Sequence, residues 1–408
     1  MAILELELGA PAAGGGFVAR DPEGRVVFVR HGITGERVRC VVTEEHATWA
    51  RADVVEVREP SPDRVAPPCP YAGAGACGGC DYQHVSMSAQ RVIKQTLLAE
   101  QLSAVAGLDI AVEVESVDPG GSGLGTRTRV RFGADEQGRL SMRKHGSHDL
   151  VAVSTCALGV GRITALPLAD REWSPGSEIE AVCLSGANAP SVVVSTTKGG
   201  EARRRGARGT EVVLEGPGLA PSQRTEVDGA PFAVSAGVFW QVHERAPEVL
   251  VGAVLEGLSL SEGDRVADLY CGAGLFTRVA ASAVGPAGSV VGVDSSREAT
   301  ADARRNLQAF GWARIVTSRV DRRSTQQAIA RRTHLVMDPP RRGVDRGALR
   351  AICDAPSVRR LVSVSCDPST FARDLRVLLD EGWKLHSTRA FDLFEMTEHL
   401  ECVAVLER

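Results

Sequence analysis

"RVADLYCGAGLFTRVAASAV" (265–284) is the stretch whose reading decides the fold. Val266, Ala267 and Leu269 read as a buried strand. The chain then turns tightly through Gly272 and Gly274, and from Leu275 its apolar spacing is that of a helix. The same rhythm continues outward. "SVVGVDSS" (289–296), "ARIVTSRV" (313–320), "THLVMDPP" (333–340) and "RRLVSVSC" (359–366) each read as a strand followed by a helical stretch such as "REATADARRNLQAFG" (297–311). "KLHSTRAFDLF" (384–394) and "HLECVAVLER" (399–408) add two more strands. Repeating strand–helix units imply a parallel sheet with helices on both faces, so residues 226–408 are expected to form a Rossmann-like α/β domain.

Upstream the texture differs. "LELEL" (4–8), "RVVFVRHG" (25–32), "ERVRCVV" (36–42) and "DVVEVRE" (53–59) are short alternating stretches punctuated by glycine, the pattern of a small OB-like β-barrel over 1–58. "PSPDRVAPPCP" (60–70) reads as a linker. Residues 86–107 read as a helix, opened by serine and closed by glycine, that packs on the catalytic domain. The rest of 59–225 is glycine-rich and strand-like, a β-rich central domain.

Composition limits the class. The chain has 408 residues, 43% hydrophobic and 24% charged, as in soluble multi-domain proteins. No apolar run approaches the roughly 18 residues of a membrane span, and "MAILELELGA" lacks a signal peptide's basic and apolar regions. A cytoplasmic monomer with no membrane partner is expected. The net charge of −4 excludes a wholly basic nucleic-acid binder, yet arginines cluster in "RTRVRF" (127–132), "RRRGAR" (203–208) and "RRGVDRGALR" (341–350). Such runs are usually solvated faces; three of them allow a groove that tracks phosphates.

Four motifs carry chemistry. In "DLYCGAGLFT" (268–277) the glycines let backbone amides approach a ligand, and Asp294 ends the next strand where a carboxylate can hold ribose hydroxyls. Thr277 occupies the third glycine position that a dinucleotide's pyrophosphate would want, so S-adenosylmethionine suits the turn better. "MDPPRRG" (337–343) leaves Asp338 at the same sheet edge. Cys366 ends the next strand there; Asp367 can cap the following helix and Pro368 fits its first turn. A helix N-terminus favours negative charge, so this thiol is expected to ionise. A thiolate beside a methyl donor suits methylation of carbon 5 of uracil, because addition at carbon 6 makes carbon 5 nucleophilic. Finally, Cys69, Cys77 and Cys80, with Cys156 as fourth ligand, form a thiol set that either zinc or a four-iron cluster would accept.

Together these residues resemble the RNA uracil-5-methyltransferase family over essentially the whole chain. The resemblance implies a class I methyltransferase domain, a TRAM-type RNA-binding barrel at 1–58, and a [4Fe–4S] cluster on Cys69, Cys77, Cys80 and Cys156. It further implies cofactor or base contacts from Gln241 in "VFWQVH", Tyr270, Asp294 and Asp338, Cys366 as nucleophile and Glu401 in "TEHLE" as base. Seven residues separate Cys69 from Cys77 where five are usual, Asp367 replaces the usual asparagine, and Leu275 stands where an asparagine contacts the cofactor. The implied substrate is structured RNA, 23S ribosomal RNA ahead of transfer RNA. Two rivals are an amine-directed nucleic-acid methyltransferase built on Asp338, which would not need Cys366, and a non-catalytic iron–sulfur RNA-binding protein.

Overall fold

The computed structural model describes residues 2–187, 189–195, 210–211 and 221–408, so the "RRRGAR" run lies outside the described residues. At the N-terminus, β1 (Ile3–Glu7), β2 (Pro11–Ala12), β3 (Gly16–Arg20), β4 (Val26–Arg30), β5 (Arg37–Glu45) and β6 (Trp49–Glu59) form one sheet ordered β1-β5-β6-β4-β3-β2. Alternation works as expected in β5, where Val38, Cys40 and Val42 point inward. Two features were not legible. Gly14 and Gly15, which read as mere punctuation, turn the chain from β2 into β3, and β4 pairs with β6 in parallel. Tyr82, Val85, Ile93 and Leu97 complete this core from beyond the sheet.

Ser86 caps α1 (Met87–Gln101), its side chain accepting from the Ala89 amide; a π-helical turn, Leu102–Ala106, leads to Gly107 in the left-handed region. The short β7 (Val114–Ser116) then joins the catalytic sheet. Next come β8 (Arg129–Ala134), β9 (Leu140–Arg143), β10 (Leu150–Ala152), α2 (Gly161–Thr164), β11 (Glu178–Val182), β12 (Ser191–Ser195) and β13 (Thr210–Glu211). Their strands form an antiparallel sheet ordered β10-β9-β8-β11-β12-β13, with Phe132, Leu140, Ile163 and Ile179 in its core. The hairpin β14 (Ser222–Val227) and β15 (Ala230–Ser235) leads into the last unit.

That unit contains α3 (Ala246–Leu258), β16 (Arg265–Leu269), α4 (Leu275–Val284), β17 (Ser289–Asp294), α5 (Arg297–Asn306), β18 (Ala313–Thr317), α6 (Arg322–Ile329), β19 (His334–Met337), α7 (Arg346–Cys353), β20 (Arg360–Ser365), α8 (Pro368–Asp380), β21 (Lys384–Asp392) and β22 (Glu401–Glu407). The sheet order is β18-β17-β16-β19-β20-β22-β21-β7. The first five strands are parallel, and β22 is inserted antiparallel between β20 and β21. Apolar cores cover both faces, which explains the near-continuous hydrophobic strands. Ser296, Asp321, Asp345 and Asp367 cap α5 to α8. After β16 the chain winds outward through β17 and β18, then returns to β19 on the other side. That reversal opens a crevice at the carboxyl ends of β16 and β19, where ligands of open sheets bind. Among the described residues no helix is long and apolar enough to cross a membrane.

Candidate active site

Cys366 follows β20, and Asp367 turns the chain into α8 by accepting the Thr370 amide at 2.8 Å. The β20–β22 register ends with Ser365 opposite Cys402, so one further step sets Cys366 across from Glu401. Glu401 is 3% exposed and makes no side-chain hydrogen bond among the described residues. Asp338, at the end of β19, accepts from Gln241 Nε2 at 3.2 Å, and its own amide reaches Leu269 O at 3.3 Å. The strand ends thus gather a thiol, two carboxyls and an amide side chain.

Their electrostatics correct one expectation. Cys366 is not poised to ionise: burial, then the charges of Glu401 and Asp338, push its thiol up to about 12. Arg341 pulls the other way, and Asp367 adds a further opposing negative charge. The helix N-terminus is outweighed by carboxylates that the fold brings in from distant sequence. Burial raises Asp338 to about 7, against the Gln241 hydrogen bond. Burial and the Asp338 charge hold Glu401 well above the ordinary glutamate range, opposed by Arg341. Arg341 is exposed at the lip, and its charge reaches Cys366, Glu401 and His399. Its significance was missed in the sequence, where it read as the first residue of the basic run 341–350.

The glycine turn lies alongside. Tyr270 adopts φ 66°, Gly272 φ 53° and Gly274 φ 90°, a left-handed run that swings the chain from β16 into α4. Asp294 accepts from the Gly272 amide at 3.1 Å and the Ser296 amide at 2.8 Å, tying the turn to β17. Tyr270 accepts the Asp345 amide at its hydroxyl, 3.2 Å away. Leu275 is buried in the apolar core, which accounts for an apolar residue where a polar contact was expected. Asp268 was overlooked. It is fully buried; Oδ2 accepts the Thr277 hydroxyl, and Oδ1 has no partner among the described residues. Burial lifts its carboxyl to about 8. Thr277, at the third glycine position, therefore anchors the turn from below.

Three glutamates crowd the approach to β22 and its first residue, and among them only Glu401 is uncommitted. Glu395 bonds to buried His243 at 3.1 Å. Burial would raise its carboxyl, but the His243 contact brings it below its ordinary value. Glu398 accepts from the Gly14 and Gly15 amides of the N-terminal sheet. Beneath this segment, Lys94 of α1 and Asp392 form an ion pair at 2.5 Å, with side chains 0% and 2% exposed.

The four sequence-selected cysteines line one cavity of about 1240 Å³ between the 69–83 segment and the central sheet, apart from the Cys366 crevice. Gly79 N–H points to Cys77 Sγ at 3.4 Å and Gln83 Nε2 to Cys80 Sγ at 3.1 Å, so two sulfurs already act as acceptors. Arg127, Arg143 and Lys144 also line the cavity. Arg129 and Arg131 of "RTRVRF" line it too, paired with Glu180 at 3.1 and 3.0 Å. Among the described residues, no three His, Cys, Asp or Glu side chains converge tightly enough for a single metal ion.

Residues 232–331 match the family model of protein-L-isoaspartate(D-aspartate) O-methyltransferase, a span that stops before Asp338, Cys366 and Glu401. An uncharacterized RNA methyltransferase of Streptomyces coelicolor is 39% identical, over 99% of this chain and 92% of the relative. The 23S rRNA (uracil(1939)-C(5))-methyltransferase of Chromohalobacter salexigens is 32% identical, over 96% of this chain and 86% of its own length. The Pyrococcus abyssi tRNA (uracil-54, C5)-methyltransferase, solved with S-adenosyl-L-homocysteine, shares the fold with a TM-score of 0.71 at 19% identity, over 99% of this chain and 100% of that one.

Proposed function

Since the chain belongs to the RNA uracil-5-methyltransferase family, we propose that it methylates carbon 5 of a uridine in 23S ribosomal RNA through a covalent bond to Cys366. The observation that carries this is the β20–β22 register, which sets Cys366 opposite Glu401 at the sheet edge shared with Asp338 and the glycine turn. The ribosomal substrate is supported by the relative from Chromohalobacter salexigens.

S-adenosylmethionine, when bound, supplies the electrophilic methyl group. Gln241, Tyr270, Asp294 and Asp338 are the residues at the crevice suited to hold it or the target base. Asp294 already aims its carboxylate at the Gly272 turn. The uridine has to leave its stack to reach Cys366. As the sulfur bonds to carbon 6, the thiol proton passes to Asp338, which titrates near neutrality and lies close enough to act on Cys366. Burial and then the Asp338 charge keep a proton on Glu401; neutralising Asp338 removes the second cause, and the Arg341 charge favours loss of that proton to solvent. Once carbon 5 carries the methyl group, Glu401 takes the carbon 5 proton. The carbon 5–carbon 6 double bond re-forms, and the bond to sulfur breaks with its electron pair returning to Cys366.

The Cys69, Cys77, Cys80 and Cys156 set suits a [4Fe–4S] cluster. A cluster spreads its ligands more widely than a single ion does, and the hydrogen bonds to Cys77 and Cys80 would support thiolate ligands against the burial that pushes both thiols up. The cluster's contribution here would be to cross-link residues 69–80 to the central sheet. We read residues 1–58 as the TRAM-type barrel that engages RNA, and the protein as cytoplasmic.

The test is methyl transfer from labelled S-adenosylmethionine to 23S ribosomal and transfer RNA transcripts, with nucleoside mass spectrometry. The expected product is 5-methyluridine in the ribosomal transcript, absent with Cys366→Ala. A methyl group on a base amine, or activity that survives Cys366→Ala, refutes the mechanism; methylation of transfer RNA alone refutes the substrate.

A further inference from the structure

The segment between β21 and β22 delivers Glu401 to the site, yet it is secured from far away in the chain. Gly14 and Gly15 donate their amides to the Glu398 carboxylate, Gly15 at 3.0 Å. The Glu398 amide donates to Asp81 Oδ2 at 3.2 Å, while Arg30 of β4 holds Asp81 Oδ1 at 3.1 Å. The Asp81 and Tyr82 amides both donate to Met396 O, at 2.8 and 3.0 Å. Met396 itself sits at φ 65°, a conformation a side chain tolerates only when its surroundings enforce it. Gly15 lies at φ 71°, and a Cβ there would come within 2.6 Å of Asp81. The turn at 14–15 is therefore shaped to bring two amides to one carboxylate.

Resting on the reading of Glu401 as the base, we propose that Glu398 is a positioning residue: gripped by the Gly14–Gly15 amides, it sets the segment that aims Glu401 at the substrate. Adhesion between the sheets alone would not require this placement. The β20–β22 ladder stops at Cys402 and the β21–β22 ladder at Glu401, so the approach to Glu401 depends on anchors in the loop itself. Glu398, three residues upstream, is the anchor supplied by the N-terminal sheet. The sheet that we read as the RNA handle thereby touches the catalytic geometry directly.

The experiment measures turnover, RNA KM and covalent adduct for wild type, Glu398→Ala, Glu398→Gln and Gly15→Ala, using the full-length protein with 23S transcript and methyl-labelled S-adenosylmethionine. Glu398→Ala is expected to lower kcat at least about tenfold, towards the roughly hundredfold cost of an ångström-scale misplacement. RNA KM should stay within about twofold, and a methyl-bearing protein–RNA adduct should accumulate on denaturing gels, because only the step after methyl transfer is slowed. Glu398→Gln keeps an acceptor oxygen and should recover most of kcat. Gly15→Ala perturbs the same clamp from the other side and should trap the same adduct, so the idea remains testable if Glu398→Ala fails to fold. Wild-type turnover in both alanine variants, or a rise in KM with no adduct, overturns the proposal. Wild type that methylates no RNA would instead overturn the functional reading beneath it.

Discussion

Replacing Asp338 by asparagine should stabilise the protein, and the gain should grow with pH. The carboxyl titrates at about 7 in the folded chain against an ordinary 3.8. A raised acid pKa means that the folded state prefers the protonated form. Its contribution to stability is intact below pH 3.8 and is lost as pH climbs towards 7. At about 1.4 kcal/mol per pH unit, ionising Asp338 costs the folded state about 2 kcal/mol at pH 5.5 and about 4 kcal/mol at pH 8. Asparagine avoids that penalty and keeps an oxygen for Gln241 Nε2. Coupling adds to the gain, because removing the Asp338 charge also relieves Glu401. The expected excess stability of Asp338→Asn is therefore at least about 4 kcal/mol at pH 8, shrinking by about half at pH 5.5. Denaturant titrations of both proteins without cofactor or RNA, at pH 5.5, 7 and 8, measure it. A difference that is flat with pH, or a variant less stable at pH 8, would mean that Asp338 is not held protonated by its surroundings.

Three further expectations follow from contacts elsewhere. Asp294→Ala should weaken S-adenosylmethionine binding by about 1.5–3 kcal/mol in calorimetry, the scale of a hydrogen bond to a charged group; unchanged affinity would place the ribose elsewhere. Lys94→Met should destabilise the fold by about 3–5 kcal/mol in denaturant melts, since it strands buried Asp392, whose Oδ2 already lacks a partner among the described residues. A second change, Asp392→Leu, should restore part of that loss, and a melt insensitive to Lys94→Met refutes the pair's importance. Cys156→Ala should abolish iron binding in anaerobic preparations that otherwise carry about four irons per chain; stoichiometric zinc in the wild type would refute the cluster while sparing the ligand set.

What could be read from the sequence was whatever depends on neighbours in the chain. Strand–helix alternation, the glycine turn and the Ser86 and Asp367 caps are all local patterns, and the structure places each where the pattern points. The failures share a cause. The thiol at 366 was judged by the helix beginning beside it, whereas its ionisation is governed by Asp338 and Glu401, which arrive from other strands. Arg129 and Arg131 read as free cations because Glu180, their partner, is about fifty residues away. The parallel pairing of β4 with β6 has no local signature at all.

The strand β7 has a consequence for how the chain is made. Val114 pairs with Ala390, and Arg389 forks onto Glu115 with two bonds of 2.8 Å. The partner strand is thus translated some 276 residues after β7. At about 5–20 residues per second, β7 leaves the ribosome roughly 15–55 seconds before anything exists for it to pair with. The whole central sheet is synthesised in the interval, and that sheet can close on its own antiparallel contacts. A message cut short before β21 would yield a protein with a folded middle and two unmatched sheet edges, the kind of species that aggregates or is degraded. Glu401 lies later still, so the nascent chain acquires its proposed base only after β21 has been made.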